Sequence, residues 1–244
     1  MKQLVISLFV LIALGPLNGA QEESASPAEE TKMYPDASEI PKNYEIGDEE
    51  NRLISSDGKY AVLFPVRNEA SDEENGPPYP RNLLVRLKPY TVLAKVRQPG
   101  LPIGWRDKLL AEWNGNTVVA IYVESKWGIT DLSVYEIDND KLKRAHAIFT
   151  EARKYFDRDF HQRFLRKYPK EYDHYTFVGH EETPDFEFKG RQVMVNLYGE
   201  NKPNLAPGPI WSAELHGIWN LDTGKFDTVD FKPGKISIRK PEDI

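Results

Sequence analysis

Short apolar runs separated by turn residues recur along the chain after residue 52, and they predict β-strands. Three stretches share one order: a turn, a strand, a longer loop, a second strand, a tight turn and a third strand. The alternation within residues 132–137 and 226–231 is typical of a strand with one buried face. The nine predicted strands cover residues 60–64, 83–87, 92–96, 117–123, 132–137, 143–148, 192–198, 215–221 and 226–231.

One segment departs from this pattern and predicts a helix over residues 150–168. Thr150 is the expected N-cap, and Pro169 ends the segment. Such an amphipathic helix is expected to pack on a sheet. Apolar side chains recur there at four-residue spacing, with two neighbours that widen the stripe: Ala152, Phe156, Phe160, Phe164 and Tyr168, then Phe149 and Leu165. The sequence therefore predicts a mainly β fold of three related antiparallel meanders with one inserted amphipathic helix.

The first twenty residues have the order of a secretory signal peptide. Lys2 precedes an apolar run over residues 4–14, Gly15-Pro16 ends the run, and cleavage is expected after Gly19 or Ala20. The run of 11 residues is shorter than the ~20 that a membrane-spanning helix needs. We expect cleavage, no membrane span afterwards, and export to the periplasm or the extracellular space.

Charge separates the next segment from the rest of the chain. The 244 residues carry a formal net charge of −6 at pH 7. Residues 21–52 contain ten acidic and three basic residues, so the remaining residues, 53–244, are close to neutral. This acidic leader predicts a partly disordered tether, with Tyr34, Ile40, Tyr44 and Ile46 able to dock its second half. A neutral body lacks the dense basic face that nucleic acids require, so no nucleic-acid partner is expected.

Length and composition predict one folded domain after this leader. We expect a single β-rich domain over residues 53–231 and a loosely held tail over residues 232–244. A domain of this size can bury a sizeable core. The chain has no cysteine, which excludes disulfides, thiol catalysis and thiolate metal sites.

The strand entries resemble those of a class of β-propellers. Ser55-Ser56-Asp57-Gly58-Lys59-Tyr60 is similar to the recurrent Ser-Pro-Asp-Gly-Lys-Tyr entry of TolB and prolyl-oligopeptidase blades, with Ser56 at the proline position. Trp113-Asn114-Gly115-Asn116 resembles the same entry in the second meander. The resemblance covers three stretches and implies blade-like meanders. A closed propeller takes at least ~4 blades, so three meanders predict an open propeller-like or a barrel-like wrap.

Aromatic residues in expected loops form the first candidate site. Trp105, Trp127, Trp211 and Trp219 each lie beside or near a glycine, and the expected contact surface carries the first three. Exposed indoles stack on sugar rings or clasp peptides, and loops are where contact residues gather. In a cysteine-free β protein, tryptophan is also common in the core. These residues predict a surface that binds a protein, a peptide or a glycan.

Imidazole and carboxylate side chains gather in a second candidate site, after the predicted helix. His174 and His180 are separated by an even number of positions, so a strand could present both on one side. Acidic residues and histidines also collect in solvated loops, which leaves both interpretations open. The candidate catalytic residues are His174, His180, Glu181 and Glu182, and the candidate metal ligands are His174, His180 and Asp185.

The sequence contains no nucleophile elbow, phosphate-binding loop or metalloprotease motif, and no cofactor is expected. We therefore expect an exported, non-catalytic binding or interaction protein. Two alternatives remain open. One is an exported hydrolase or metal-dependent enzyme that uses the region of His174, His180 and Glu181. The other is a structural component of the cell envelope.

Overall fold

The predicted strands form antiparallel sheets in the computed structural model, which describes residues 40–42, 44–46, 53–65, 82–96, 108–169, 174–179, 184–201 and 207–240. In the first and second sheets, strands that are consecutive in the chain are also neighbours. The first sheet contains β1 (Tyr44–Glu45), β2 (Tyr60–Pro65), β3 (Leu83–Arg86) and β4 (Thr91–Lys95). The second sheet contains β5 (Lys108–Asn114), β6 (Val118–Ser125), β7 (Gly128–Asp138) and β8 (Lys141–His146).

The rest of the chain supplies helix α1 (Ile148–Asp159), the third sheet and a small two-stranded sheet. In the third sheet β9 and β10 pair with successive parts of the same edge of β11, so they form one interrupted strand. The third sheet contains β9 (Thr176–Gly179), β10 (Phe186–Lys189), β11 (Gln192–Glu200), β13 (Ser212–Asn220) and β14 (Lys225–Pro233). The small sheet pairs β12 (Gly208–Ile210) with β15 (Ser237–Arg239).

Each of the nine predicted strands corresponds to a strand of the structure, with ends that differ by a few residues. The mainly β architecture with one inserted helix is therefore confirmed. Further strands were not predicted, among them β5, whose apolar run Leu109-Leu110-Ala111 is short. The tail expected to be loosely held contains β15, which pairs with β12. Of the four leader residues expected to dock, Ile40, Tyr44 and Ile46 pack against the buried residues of the first sheet, and Tyr34 lies outside the described residues.

The core lies in layers that alternate with the sheets. One cluster, which includes Val62 of β2 and Ile121 of β6, lies between the first and second sheets. Another, which includes Val134 of β7 and Val195 of β11, lies between the second and third sheets and incorporates the helix. The prediction that residues 132–137 form a half-buried strand is wrong, because both faces of β7 are covered and all six residues are buried.

Helix α1 begins at Ile148, two residues earlier than expected, and its N-cap is Ala147 rather than Thr150. A π-helical segment, Phe160–Leu165, continues it. The four-residue spacing of the aromatic stripe explains why the α-helix continues as a π-helix. Residues four apart in an α-helix drift by about 40° around the axis. The wider π turn counteracts that drift and keeps Phe156, Phe160 and Phe164 buried on one side. No helix among the described residues is both long and apolar enough to cross a membrane.

The turn between β7 and β8 connects the second sheet to the first. Asn139 and Asp140 have positive φ angles of 48° and 59°, as in tight two-residue hairpin turns. Hydrogen bonds, first from Lys59 and then from Tyr60 and Arg86, hold the pKa of Asp140 well below its usual range. The donors are Lys59 Nζ at 2.6 Å, the Tyr60 hydroxyl at 2.7 Å and Arg86 Nη1 at 2.8 Å.

Replacing Phe156 by alanine tests the packing of the helix between the second and third sheets. The Phe156 ring is fully buried, and its centre lies 4.6 Å from that of Phe177 and 5.2 Å from that of Phe231. Phe156→Ala should lower the free energy of unfolding by about 3–5 kcal/mol, measured by denaturant titration. Lys154→Ala, on the exposed face of α1, is the control and should change it by less than about 0.5 kcal/mol. A loss below about 1 kcal/mol for Phe156→Ala would contradict this packing.

Candidate functional site

Trp127 lies at the tip of the turn between β6 and β7, and 55% of its surface is exposed. Ser125 pairs with Gly128, which leaves only Lys126 and Trp127 in the turn itself. The Lys126 ammonium lies 4.4 Å from the centre of the Trp127 ring, within the range of a cation–π contact. The exposed indole is therefore held beside a positive charge.

The Ser125 side chain closes this turn with two hydrogen bonds. Its hydroxyl donates to the Gly128 carbonyl oxygen at 2.9 Å and accepts from the Trp127 backbone N–H at 3.1 Å. A fixed backbone loses less conformational entropy when a partner binds. The turn thus presents the indole in a preorganised position.

The strand that follows the turn is held by the third sheet. Gly128 has a φ of +107°, and a Cβ there would lie 3.2 Å from three backbone atoms of Gly179, at the end of β9. Only glycine allows this approach without strain. The Asp185 carboxylate lies over Gly179 and accepts a hydrogen bond of 2.8 Å from the Ile129 N–H. Asp185, a predicted metal ligand, therefore positions the base of the Trp127 turn.

The other predicted tryptophans do not join Trp127 on a described surface. Trp105 lies outside the described residues. Trp211 is fully buried, its indole N–H donates to the Asp159 carboxylate at 2.8 Å, and its ring lies about 5.0 Å from that of Phe160. Trp211 is a core residue rather than a contact residue, because the helix covers it and supplies the acceptor for its N–H.

The predicted acid–base and metal candidates are described only in part. His174 is exposed and lies just before β9. His180, Glu181 and Glu182 lie outside the described residues, so the pairing of His174 with His180 stays a prediction. Within the ranges that the structure describes, no three His, Cys, Asp or Glu side chains are arranged to hold a metal ion.

A buried cluster of charged groups lies between the second and third sheets. Glu136 on β7 is 2% exposed, and His146 at the end of β8 is 3% exposed. The Glu136 carboxylate is 2.8 Å from His146 Nε2 and 2.6 Å from Nη2 of Arg191, which precedes β11. Arg191 also contacts the Asp222 carboxylate, at 2.8 Å, in the turn after β13. A buried carboxylate is tolerated only when it is paired in this way.

The hydrogen bonds of His146 define which of its nitrogens carries the proton. The Trp219 indole lies 3.2 Å from His146 Nδ1, and an indole N–H can only donate, so Nδ1 must accept. The ionised Glu136 carboxylate can only accept, so Nε2 must carry the hydrogen. His146 is therefore the neutral Nε2–H tautomer. Both nitrogens are occupied, which leaves neither free to act as a base or a metal ligand.

Burial and hydrogen bonding shift the pKa values of Glu136 and His146 in opposite directions. Burial alone would raise the pKa of Glu136, but the hydrogen bonds from His146 and Arg191 outweigh it and lower that pKa. Burial lowers the pKa of His146, and the Glu136 carboxylate opposes this only in part. Glu136 is thus ionised and His146 neutral at neutral pH.

An open cleft of about 390 Å³ borders this cluster. His146 and Trp219 line one part of it, and Glu151 of α1 and Gly224 of the turn after β13 line another. The cleft therefore reaches the contact between the second and third sheets.

Sequence reasoning did not identify Glu136, His146 or Arg191. One signal was present for Glu136, which interrupts the otherwise apolar end of the strand at Val134-Tyr135-Glu136-Ile137. A charged residue in a strand that is buried on both faces needs a partner. Arg191 carries no local signal, because its partners lie in another sheet and in the turn after β13. The contact of His146 with Trp219 carries none either, because Trp219 lies in the third sheet. Comparisons with protein-family models, curated proteins and solved structures found no match to this chain.

Removing the Asp185 carboxylate should loosen the Trp127 turn. Asp185→Ala leaves the Ile129 N–H without its acceptor, so that amide should exchange with solvent about tenfold faster or more, measured by NMR. Asp185→Asn, which keeps a side-chain oxygen, is the matched control and should retain most of the protection. Equal exchange at Ile129 in the wild type and in Asp185→Ala would show that Asp185 does not hold the turn.

Proposed function

We propose that this chain is an exported binding protein that contacts its partner through Trp127. The observation that carries the proposal is a tryptophan that is 55% exposed on a turn fixed by Ser125, Gly128 and Asp185. Such a side chain contributes most when a partner removes it from water.

The chemistry of Trp127 defines what the partner must present. An indole binds flat apolar surfaces, which are the rings and aliphatic groups of protein side chains or the apolar face of a sugar ring. Lys126, beside the ring, adds a positive charge that suits an acceptor oxygen on the partner. A peptide, a protein surface or a glycan meets these requirements. A tryptophan at the centre of such a contact contributes about 2 kcal/mol or more to binding.

The site of action is the periplasm or the extracellular space. This part of the proposal rests on residues 1–20, whose charge, apolar run, breaker and small residues have the order of a signal peptide. The absence of cysteine suits a domain whose stability comes from its layered core.

We also infer that the three sheets are related meanders that wrap in an open, propeller-like manner. Two observations support this. The first and second sheets each have four strands that are neighbours in chain order, and the third has the order β10-β11-β13-β14 with β9 beside β11. Core clusters separate successive sheets, as expected when blades pack face to face. The turns at one end of such blades are typical binding positions.

Binding should depend on Trp127 when the purified mature chain is screened against a peptide display library and a glycan array. Trp127→Ala should weaken the captured ligands about 30-fold, because about 2 kcal/mol of contact energy is lost. Ile238→Ala is the matched control, since Ile238 is 57% exposed on another strand, and it should leave binding unchanged. The two screens distinguish a peptide from a glycan partner. Ligands that bind Trp127→Ala as well as wild type, or two empty screens, would contradict the proposal.

A further inference from the structure

We propose that His146 is a pH sensor whose protonation releases Trp219 and loosens the contact between the second and third sheets. His146 belongs to the second sheet, and Trp219 on β13 belongs to the third. Trp219 is 4% exposed, donates its indole N–H to His146 Nδ1 at 3.2 Å, and meets the imidazole edge to face at 5.9 Å. This inference concerns residues other than Trp127 and goes beyond the proposed binding function.

Protonation changes His146 Nδ1 from an acceptor into a donor. An imidazolium ion carries a hydrogen on both nitrogens, whereas the indole nitrogen has only a donor to offer. The Nε2–H can keep its hydrogen bond to Glu136, but the Nδ1–H and the Trp219 N–H then point at each other. A buried donor without an acceptor destabilises the arrangement, so one of the two rings must move. The ring that moves is Trp219, because Glu136 holds the imidazolium by both charge and hydrogen bond.

Charged groups from several elements surround His146 and set its response. Glu136 favours the imidazolium, whereas Arg144 and Arg191 oppose it. The positive N-terminal end of α1, which begins two residues after His146, opposes it as well. The charged groups that face this position are Glu136 on β7, Lys143 and Arg144 on β8, Glu151 on α1, Arg191 before β11 and Asp222 between β13 and β14.

These effects determine the direction of the response to pH. Burial and the neighbouring cations together lower the pKa of His146 below its ordinary value of 6.5. In a loosened state, where the ring is hydrated, the pKa returns toward 6.5, so that state binds protons more tightly. The closed contact is therefore fully stable above about pH 6.5 and weakens as the pH falls through the pKa of the closed state.

Release of Trp219 would alter the cleft that borders the charged cluster. His146 forms part of its wall from the second sheet and Trp219 from the third. Gly224 lies beside the imidazole in this wall, where a Cβ at position 224 would be 3.8 Å from the ring. Movement of Trp219 therefore opens the wall of the cleft toward the core between the sheets. At low pH the cleft beside α1 would therefore widen where Trp219 has moved.

The Trp219 indole resonance in the ¹⁵N–¹H NMR spectrum of the purified chain tests the proposal. Between about pH 8 and pH 5 this resonance should shift, with a midpoint below 6.5, and its protection against exchange, after correction for the intrinsic pH dependence of indole N–H exchange, should fall about tenfold. Trp219→Phe identifies the resonance. Trp113, which stacks on Tyr60 between the first and second sheets, is an internal reference and should not respond.

His146→Gln is the matched variant, because its amide can donate to Glu136 and accept from Trp219 but cannot take up a proton in this range. The Trp219 transition should disappear in His146→Gln. A transition that persists in this variant, or a wild-type Trp219 resonance that stays unchanged to pH 5, would overturn the proposal. If the variant does not fold, titration of the His146 ring protons in the wild type decides. Protonation with a midpoint below 6.5 that coincides with the Trp219 shift supports the sensor, and an imidazolium already present at pH 7.5 refutes it.

Discussion

Burial of the Glu136 carboxylate is the constraint on which the contact between the second and third sheets depends. A carboxylate that is 2% exposed would be unstable without partners, and its partners come from both sheets. His146 approaches from β8 of the second sheet, and Arg191 approaches from the start of β11 in the third. Trp219 then completes the hydrogen bonding of His146. The third sheet must therefore adopt one position relative to β7, because only there can Arg191 pair with the Glu136 carboxylate.

A single strand connects this constraint to the exposed site. β7 begins at Gly128, directly after Trp127, and reaches Glu136 eight residues later, about 27 Å along an extended strand. It ends beside Asn139 and Asp140, whose turn contacts the first sheet. Residues 132–137 between these two ends are all buried, so the middle of the strand is fixed by both neighbouring layers of the core. The strand thus holds the Trp127 turn on a rigid support.

The positions of the strands and the helix stripe could be predicted because they depend on local periodicity. Leu132, Val134 and Phe156 are recognisable from spacing alone. The π-helical continuation could not be predicted from the sequence, because it depends on which side of the helix the sheets cover. Trp127 and Trp211 also look alike in the sequence, since each lies near glycine or proline. The helix covers Trp211 and leaves Trp127 exposed, and this difference is visible only in the packing.

The buried charged cluster depends on contacts that the sequence does not encode locally. Glu136 and Arg191 are 55 positions apart, and His146 and Trp219 are 73 apart. No short motif specifies such pairs. They form only when the second and third sheets pack against each other, so the hydrophobic core holds these sheets together and the charged pairs depend on their relative position.

A double-mutant cycle between Glu136 and Arg191 measures how strongly the buried carboxylate couples the second sheet to the third. The free energy of unfolding is measured for wild type, Glu136→Gln, Arg191→Met and the double variant. Because the Arg191 side chain is 42% exposed, solvent weakens the ion pair, and we expect a coupling free energy of about 1 kcal/mol between the two residues. Losses that add to within about 0.3 kcal/mol would contradict it, since the two residues would then stabilise the protein independently.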